Sequence, residues 1–239
     1  MPSKAKLKLY QQLTSKKFRQ KYGLFVVEGL KSVNELTQSN WPVETILCTP
    51  AFLERYGEQI DFTFDLISSE EFAATSHLTN PQEILAIAKF HDTNATTSQW
   101  QIALDGINDP GNLGTIIRIA DWYGINTIYC SENTVEFYNS KVIQSTMGSF
   151  LRVKVIEGNL SELLEGKDVF ATLLNGESIR SIDKPTKGVI LIGNEANGIE
   201  PTTLDAIKHT AITIPGSGNT ESLNAAMATA ICCERLVAK

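Results

Sequence analysis

The chain has 239 residues, enough for one large domain or two compact ones, and its 42% hydrophobic and 20% charged content is that of an ordinary globular protein. A formal net charge of −6 excludes a protein that holds nucleic acid by bulk electrostatics alone. No apolar run is long enough to span a bilayer, and the basic start MPSKAKLKLYQQL has no apolar stretch behind it, so no membrane association and a cytoplasmic location are expected.

The N-terminal part reads as a small α/β domain over residues 1–90. Residues 4–21 have helical character; short β-rich and helical segments then alternate as LFVVEG, LKSVNELTQ, VETILCT, AFLERYG, FTFDLIS, SSEEFAATS and EILAIAKF. Ser68 or Ser69 followed by Glu70 and Glu71 predicts a capped helix near 70–76. Charge is distributed unevenly. Lys4, Lys6, Lys8, Lys16, Lys17, Arg19 and Lys21 lie in the first 21 residues with no acid among them, a basic arm on an acidic body. Either a solvated helix end or a surface that contacts nucleic acid fits that run.

HDTNATTSQ, within 91–99, lacks large aliphatic residues and reads as a linker. Beyond it QIALDGI, TIYCSE, LRVKVIE, DVFATLL, GVILIGN and AITIP read as strands, with helices near 112–123, 139–147, 160–165, 202–208 and 221–238. Strands alternating with crossover helices imply a second α/β domain, over 100–239, with a mostly parallel sheet covered on both faces.

Cys48, Cys130, Cys232 and Cys233 form no C-x-x-C pair, and the adjacent last two sit in an Ala-rich helical pattern as small core residues. His77, His91 and His209 are scattered without ligand spacing and read as surface or capping residues, so no metal site is expected.

Ligands of open α/β sheets bind beyond the carboxyl ends of the strands, and three polar clusters stand there in the second domain. In NDPGNLGTIIR, Pro110 and Gly111 turn the chain and Asn112 reads as the cap of a helix that carries Arg118. GNEANG, residues 193–198, places Asn194, Glu195 and Asn197 between glycines after a buried strand; a plain turn is the simpler reading. IPGSGNTESLNAAMA, from Ile214, breaks at Pro215 into a loop containing Gly216 and Gly218 and opens into a helix near Thr220, Glu221 and Ser222. That is the layout of a ligand cradle, although for Ser222 or Thr220 taken alone an ordinary helix cap is the simpler reading. A dinucleotide fingerprint is excluded, because Glu221 occupies the next glycine position and only 18 residues follow it.

In this order and spacing, DPGNLGTIIRIADWYG, LIGNEANGI and IPGSGNTESLNAAMATAI resemble the three motifs of the SpoU (TrmH-like) RNA methyltransferases of the SPOUT superfamily. KLYQQLTSKKFRQKYGLFVVEGLKSVNE resembles the start of the substrate-binding domain that often precedes that catalytic domain. Two departures are visible: Gly216 stands where the family usually has Met, and Ala-Ala-Met follows Ser-Leu-Asn where Val-Ser-Val is common.

The resemblance implies transfer of a methyl group from S-adenosylmethionine to a ribose 2′-hydroxyl of rRNA or tRNA. It also implies a trefoil knot in the catalytic domain and an active site completed across a homodimer. Matched position by position, it assigns catalysis to Asn112, Arg118, Glu195, Ser222 and Asn224. Cofactor contacts fall to Thr172, Leu173, Leu174, Gly193, Asn194, Ile214, Gly218 and Leu223. The basic arm becomes the RNA surface. Family accounts offer Arg118 as the base, yet deprotonating an ordinary guanidinium of pKa about 13 at pH 7 costs about 8 kcal/mol, so a phosphate clamp is the preferred role. Two competing readings are an RNA-binding or ribosome-assembly protein of the same fold without turnover, and a methyltransferase directed at an RNA base.

Overall fold

The computed structural model describes residues 2–91 and 98–238. Residues 92–97, within the expected linker, lie outside the described residues. The chain divides into two compact units: the described residues of 1–92 with Tyr138–Leu151, and those of 93–137 with Arg152–Lys239.

The first unit runs α1 (Lys4–Gln11), α2 (Lys16–Tyr22), β1 (Leu24–Glu28), α3 (Leu30–Thr37), β2 (Val43–Cys48), α4 (Pro50–Tyr56), β3 (Asp65–Leu66), α5 (Ser69–Thr75) and β4 (Ile84–Lys89). Its four-stranded sheet has the order β1-β4-β2-β3, antiparallel except for the parallel β2–β3 pair. Leu7, Tyr10 and Leu13 from the first turns of the chain close one side of its core against Val26, Leu85, Ile87 and Phe72. The capping box expected for α5 is present: Ser68 Oγ accepts from Glu71 N, and Ser68 N donates to the Glu71 carboxylate. FTFDLIS forms only the two-residue β3, because its alternation pairs with nothing beyond Leu47 and Cys48 of β2.

Tyr138–Leu151 joins this unit although it follows the strand TIYC in sequence. The physical reason is an aromatic cluster: Phe25 packs on Tyr138 and edge-on to Phe150, Trp41 also meets Phe150 edge-on, and Phe90 stacks on Tyr138 at 3.8 Å. Each such pair is worth about 0.5–1.5 kcal/mol beyond the area it buries.

The second unit contains β5 (Trp100–Asp105), α6 (Pro110–Trp122) and β6 (Thr127–Cys130); after α7 (Ser140–Thr146), which belongs to the first unit, it continues with β7 (Lys154–Glu157), α8 (Leu160–Leu163), β8 (Val169–Ser178), β9 (Gly188–Gly193), α9 (Pro201–Ala206), β10 (His209–Thr213) and α10 (Ala225–Leu236). The sheet has the order β10-β8-β9-β5-β6-β7 and every pairing is parallel. WQIALD of β5 is buried throughout, as a central parallel strand with both faces covered must be. Ala103, Leu191, Val189 and Ala171 form the core on one side of the sheet with Leu160 and Ile207.

Two expectations at the strand ends are corrected. Asp109, not Asn112, caps α6: its Oδ1 accepts from Asn112 N at 2.8 Å, while Pro110 occupies the first helical position where no amide donor is needed. The last helix begins at Ala225 rather than near 221, with Asn224 as its cap, so Thr220, Glu221 and Ser222 stay in the loop.

Candidate active site

β8 departs from its ladder where the site begins. Ala171 pairs with Ala211, but Ile212 pairs with Glu177, so Thr172–Gly176 have no ladder partner in β10. Gly176 permits this return: a Cβ there would lie 2.4 Å from the carbonyl carbon of Ile212. The freed stretch leaves Leu174 80% exposed beside an open cavity of about 1760 Å³. All the residues expected to hold the cofactor, from Thr172 to Leu223, line that cavity, as do Glu195 and Ser222.

The 193–200 loop forms the floor. Asn194 N and Gly198 N donate to each other's carbonyls, both at 2.9 Å, and close a tight loop around Glu195. A Cβ at Gly193 would lie 2.3 Å from the carbonyl carbon of Gly198, so only glycine fits. Asn194 is occupied as a brace: it donates to Gly106 O at 2.8 Å and accepts from Ala196 N and Asn197 N. Asp105, buried at the end of β5, accepts from Glu200 N at 3.0 Å. The loop is therefore clamped at both ends to β5, the strand that leads into α6.

Because Asp109 serves as the cap, the Asn112 side chain is free to act in the site. It donates to the Glu195 carboxylate and accepts from Asn224 Nδ2 at 2.8 Å. Asn224 Oδ1 in turn accepts from Ala226 N and Met227 N, two of the orphan amides of α10. Three loops distant in sequence thus share one hydrogen-bonded row, anchored at a helix N-terminus whose partial positive charge polarises it. Ser222 Oγ donates to Glu195 O at 3.4 Å and ties the third loop to the second.

Arg118 is not drawn into this row. It is exposed, four residues before Trp122 on the same side of α6, and has no hydrogen-bond or ion-pair partner among the described residues. An exposed guanidinium on the helix that also supplies Asn112 is suited to a bidentate anion such as phosphate.

Open space lies beside Gly216 and Gly218, where an added Cβ would meet nothing within 4 Å. The backbone at Gly216 and Gly218 and the exposed side chains of Leu174 and Leu223 line the same cavity and together offer apolar surface with peptide hydrogen-bonding groups, the surroundings a purine nucleoside requires. The residues present therefore fit S-adenosylmethionine. Asp105 and Asp109 were not singled out from the sequence; an Asp directly before Pro is the available signal for the second.

Of the basic arm, Lys4, Lys6, Lys8, Lys16, Lys17 and Lys21 are exposed. Arg19 is a correction: it is 3% exposed and its guanidinium donates to Leu13 O and Thr14 O, both at 2.8 Å, so it braces the turn before α2 and faces no solvent. His77 is a second: both ring nitrogens are buried without a hydrogen-bond partner, and burial, with Arg19 nearby, pushes its pKa down to about 4. Cys48, Cys130, Cys232 and Cys233 are buried free thiols. Among the described residues no cluster of three His, Cys, Asp or Glu side chains is placed to hold a metal, and no helix is long and apolar enough to cross a membrane.

Comparison with known proteins agrees with this geometry. Residues 99–234 match the SpoU rRNA methylase family, and residues 4–86 match the MRM3-like substrate binding domain. The chain is 30% identical over 232 residues to the 23S rRNA (guanosine(2553)-2'-O)-methyltransferase RlmP of Bacillus subtilis (strain 168), covering 95% of this chain and 93% of the relative. Among solved structures, a TrmH-family protein from Porphyromonas gingivalis superimposes with a TM-score of 0.85 at 29% identity, covering 98% of each chain. An AdoMet-bound rRNA methyltransferase from Sinorhizobium meliloti does so with 0.83 at 28% identity, covering 98% of this chain and 95% of that one. With a family match over more than half its length, the second and third motif loops lining one cavity and the first tied to both through Asn112, the chain belongs to the SpoU rRNA methylase family.

Proposed function

We propose that this protein is an S-adenosylmethionine-dependent methyltransferase acting on a ribose 2′-hydroxyl of ribosomal or transfer RNA in the cytoplasm. The observation that carries the reading is the hydrogen-bonded row Glu195–Asn112–Asn224 at the rim of the Gly193–Leu223 cavity. Relatives that share both domains carry 2′-O-methyltransferase names.

When bound, S-adenosylmethionine supplies an activated methyl group, so the protein's task is alignment and removal of one proton. Leu174, Leu223 and the backbone at Gly193 and Gly218 hold the nucleoside end. Arg118 grips a substrate phosphate through two parallel hydrogen bonds, and Asn112, fixed by Glu195 and Asn224, orients the reacting ribose. Ser222 keeps its loop against Glu195. The proton leaves to the substrate phosphate, to water or to Glu195; a guanidinium is a poor acceptor at neutral pH.

The active protein is a homodimer. Trp122 of α6 is 84% exposed, and Met227 and Ile231, one turn apart on α10, are 64% and 40% exposed. These side chains supply an apolar face on two helices that pack together, and Arg118 stands on its border. The experiment is label transfer from radioactive S-adenosylmethionine to total RNA from cells lacking the protein, with Arg118→Ala as control. Label in RNA that is abolished by Arg118→Ala supports the reading. Cofactor binding without transfer would instead leave an RNA-binding or ribosome-assembly role.

A further inference from the structure

Helix α2 carries two rows that end in exposed side chains, with Phe18 half-buried between them. Lys17 and Lys21 are four residues apart, and Phe18 and Tyr22 beside them are also four apart, so cations and rings form adjoining rows on one helical surface. The two rings are nearly parallel, 9° apart with centroids 6.3 Å from each other. Lys21 Nζ lies 5.2 Å from the centroid of the Tyr22 ring, which is 42% exposed.

The stack and the Lys21–Tyr22 contact steady the helix, but the lysine row does not. Like charges four apart oppose helix formation, and Lys16, Lys17 and Lys21 have no acidic partner among the described residues. The helix is anchored from its other side by Arg19, which is buried among the carbonyls of Leu13 and Thr14. A half-exposed Tyr in an unrelieved field of lysines is therefore a surface kept for a partner that is both anionic and planar.

We propose that α2 is a stacking platform for an unpaired base of the RNA substrate, with Lys17 and Lys21 neutralising the phosphates on either side of it. The inference rests on RNA being the substrate and adds which kind of RNA is gripped. Lysines alone attract any polyanion, whereas a ring face selects a base whose own face is free, and base pairing in a continuous duplex removes that face. Lys21 moves from the ring to a phosphate when the base arrives.

The test is fluorescence anisotropy on the full-length protein with two fluorescein-labelled RNA hairpins of equal phosphate number, one with an eight-nucleotide loop and one paired to a tight turn. Tyr22→Ala is expected to weaken binding of the looped hairpin by about 5- to 150-fold and leave the paired one unchanged, while Tyr22→Phe stays within about twofold of the wild type. Lys17→Ala is expected to weaken both hairpins alike and to lower the slope of log affinity against log salt by about 0.7–0.9. Tyr22→Ala binding the looped hairpin as tightly as the wild type, or losing both hairpins equally, overturns the proposal. Equal melting temperatures for wild type and Tyr22→Ala exclude misfolding as the cause. The failure of the two readings is separable: Tyr22-dependent loop binding without methyl transfer removes the enzymatic reading alone, and transfer with Tyr22-independent binding removes this one alone.

Discussion

Asn112 donates its side-chain amide to the carboxylate of Glu195, 83 residues further along the chain, and this contact joins the first and second motif loops. Asn224 completes the row by donating to Asn112 from a position 112 residues away. The row acts as one unit, and its parts should fail as one. Asn112→Ala and Glu195→Ala are each expected to lower the methyl-transfer rate on the order of 100-fold, because loss of either partner frees the other to reorient. The double variant should be no worse than the poorer single one, a non-additivity that a double-mutant cycle of single-turnover rates measures.

Gly193→Ala is expected to abolish measurable cofactor binding by isothermal titration calorimetry while the fold persists. The added methyl meets the backbone of Gly198 and Ile199 at 2.3–2.4 Å, so the 193–200 loop must leave its place at the cavity floor. Retention of wild-type affinity would mean that this loop is not part of the cradle.

If the exposed Trp122, Met227 and Ile231 form the proposed pairing face, Trp122→Glu should convert the protein to a monomer in sedimentation equilibrium, because a charge placed there has no partner. A dimer of unchanged affinity would place the interface elsewhere.

His77 sets a pH dependence of stability. Its folded pKa, about 4, lies below the usual 6.5, so the unfolded chain binds a proton that the folded chain rejects. Stability is fully present above about pH 6.5 and is lost as pH falls towards 4, on the order of 3 kcal/mol in total. Glu28 works in the opposite direction: burial raises its pKa, so the fold regains stability as its carboxyl protonates. His77→Leu should therefore flatten the loss between pH 6.5 and 4 in chemical denaturation, and a slope equal to the wild type would assign the effect to another group.

Strands and crossover helices were legible because buried parallel strands such as WQIALD and GVILIG are apolar end to end, and the Ser68–Glu71 capping box was legible because both of its partners are local. The membership of Tyr138–Leu151 in the first unit was not, since it depends on rings at Phe25, Trp41 and Phe90 distant in sequence. Motif matching named Asn112, Glu195 and Asn224, but how they divide the work emerged only from three dimensions. Asn112 resembled a cap until Asp109 was seen to fill that place, and Ser222 resembled the start of a helix that Asn224 caps instead. Arg19 shows the limit of reading charge along a chain: its six lysine companions face solvent, while its own guanidinium satisfies two carbonyls inside.

The central claim is that the row Glu195–Asn112–Asn224 orients a ribose for methylation, and it is tested most directly by where the methyl group lands. RNA modified by the protein with isotopically labelled S-adenosylmethionine should be digested to nucleosides and resolved by mass spectrometry. The account predicts all label in a 2′-O-methylnucleoside, with the mass increment retained on the ribose fragment. Label on the base fragment would contradict it.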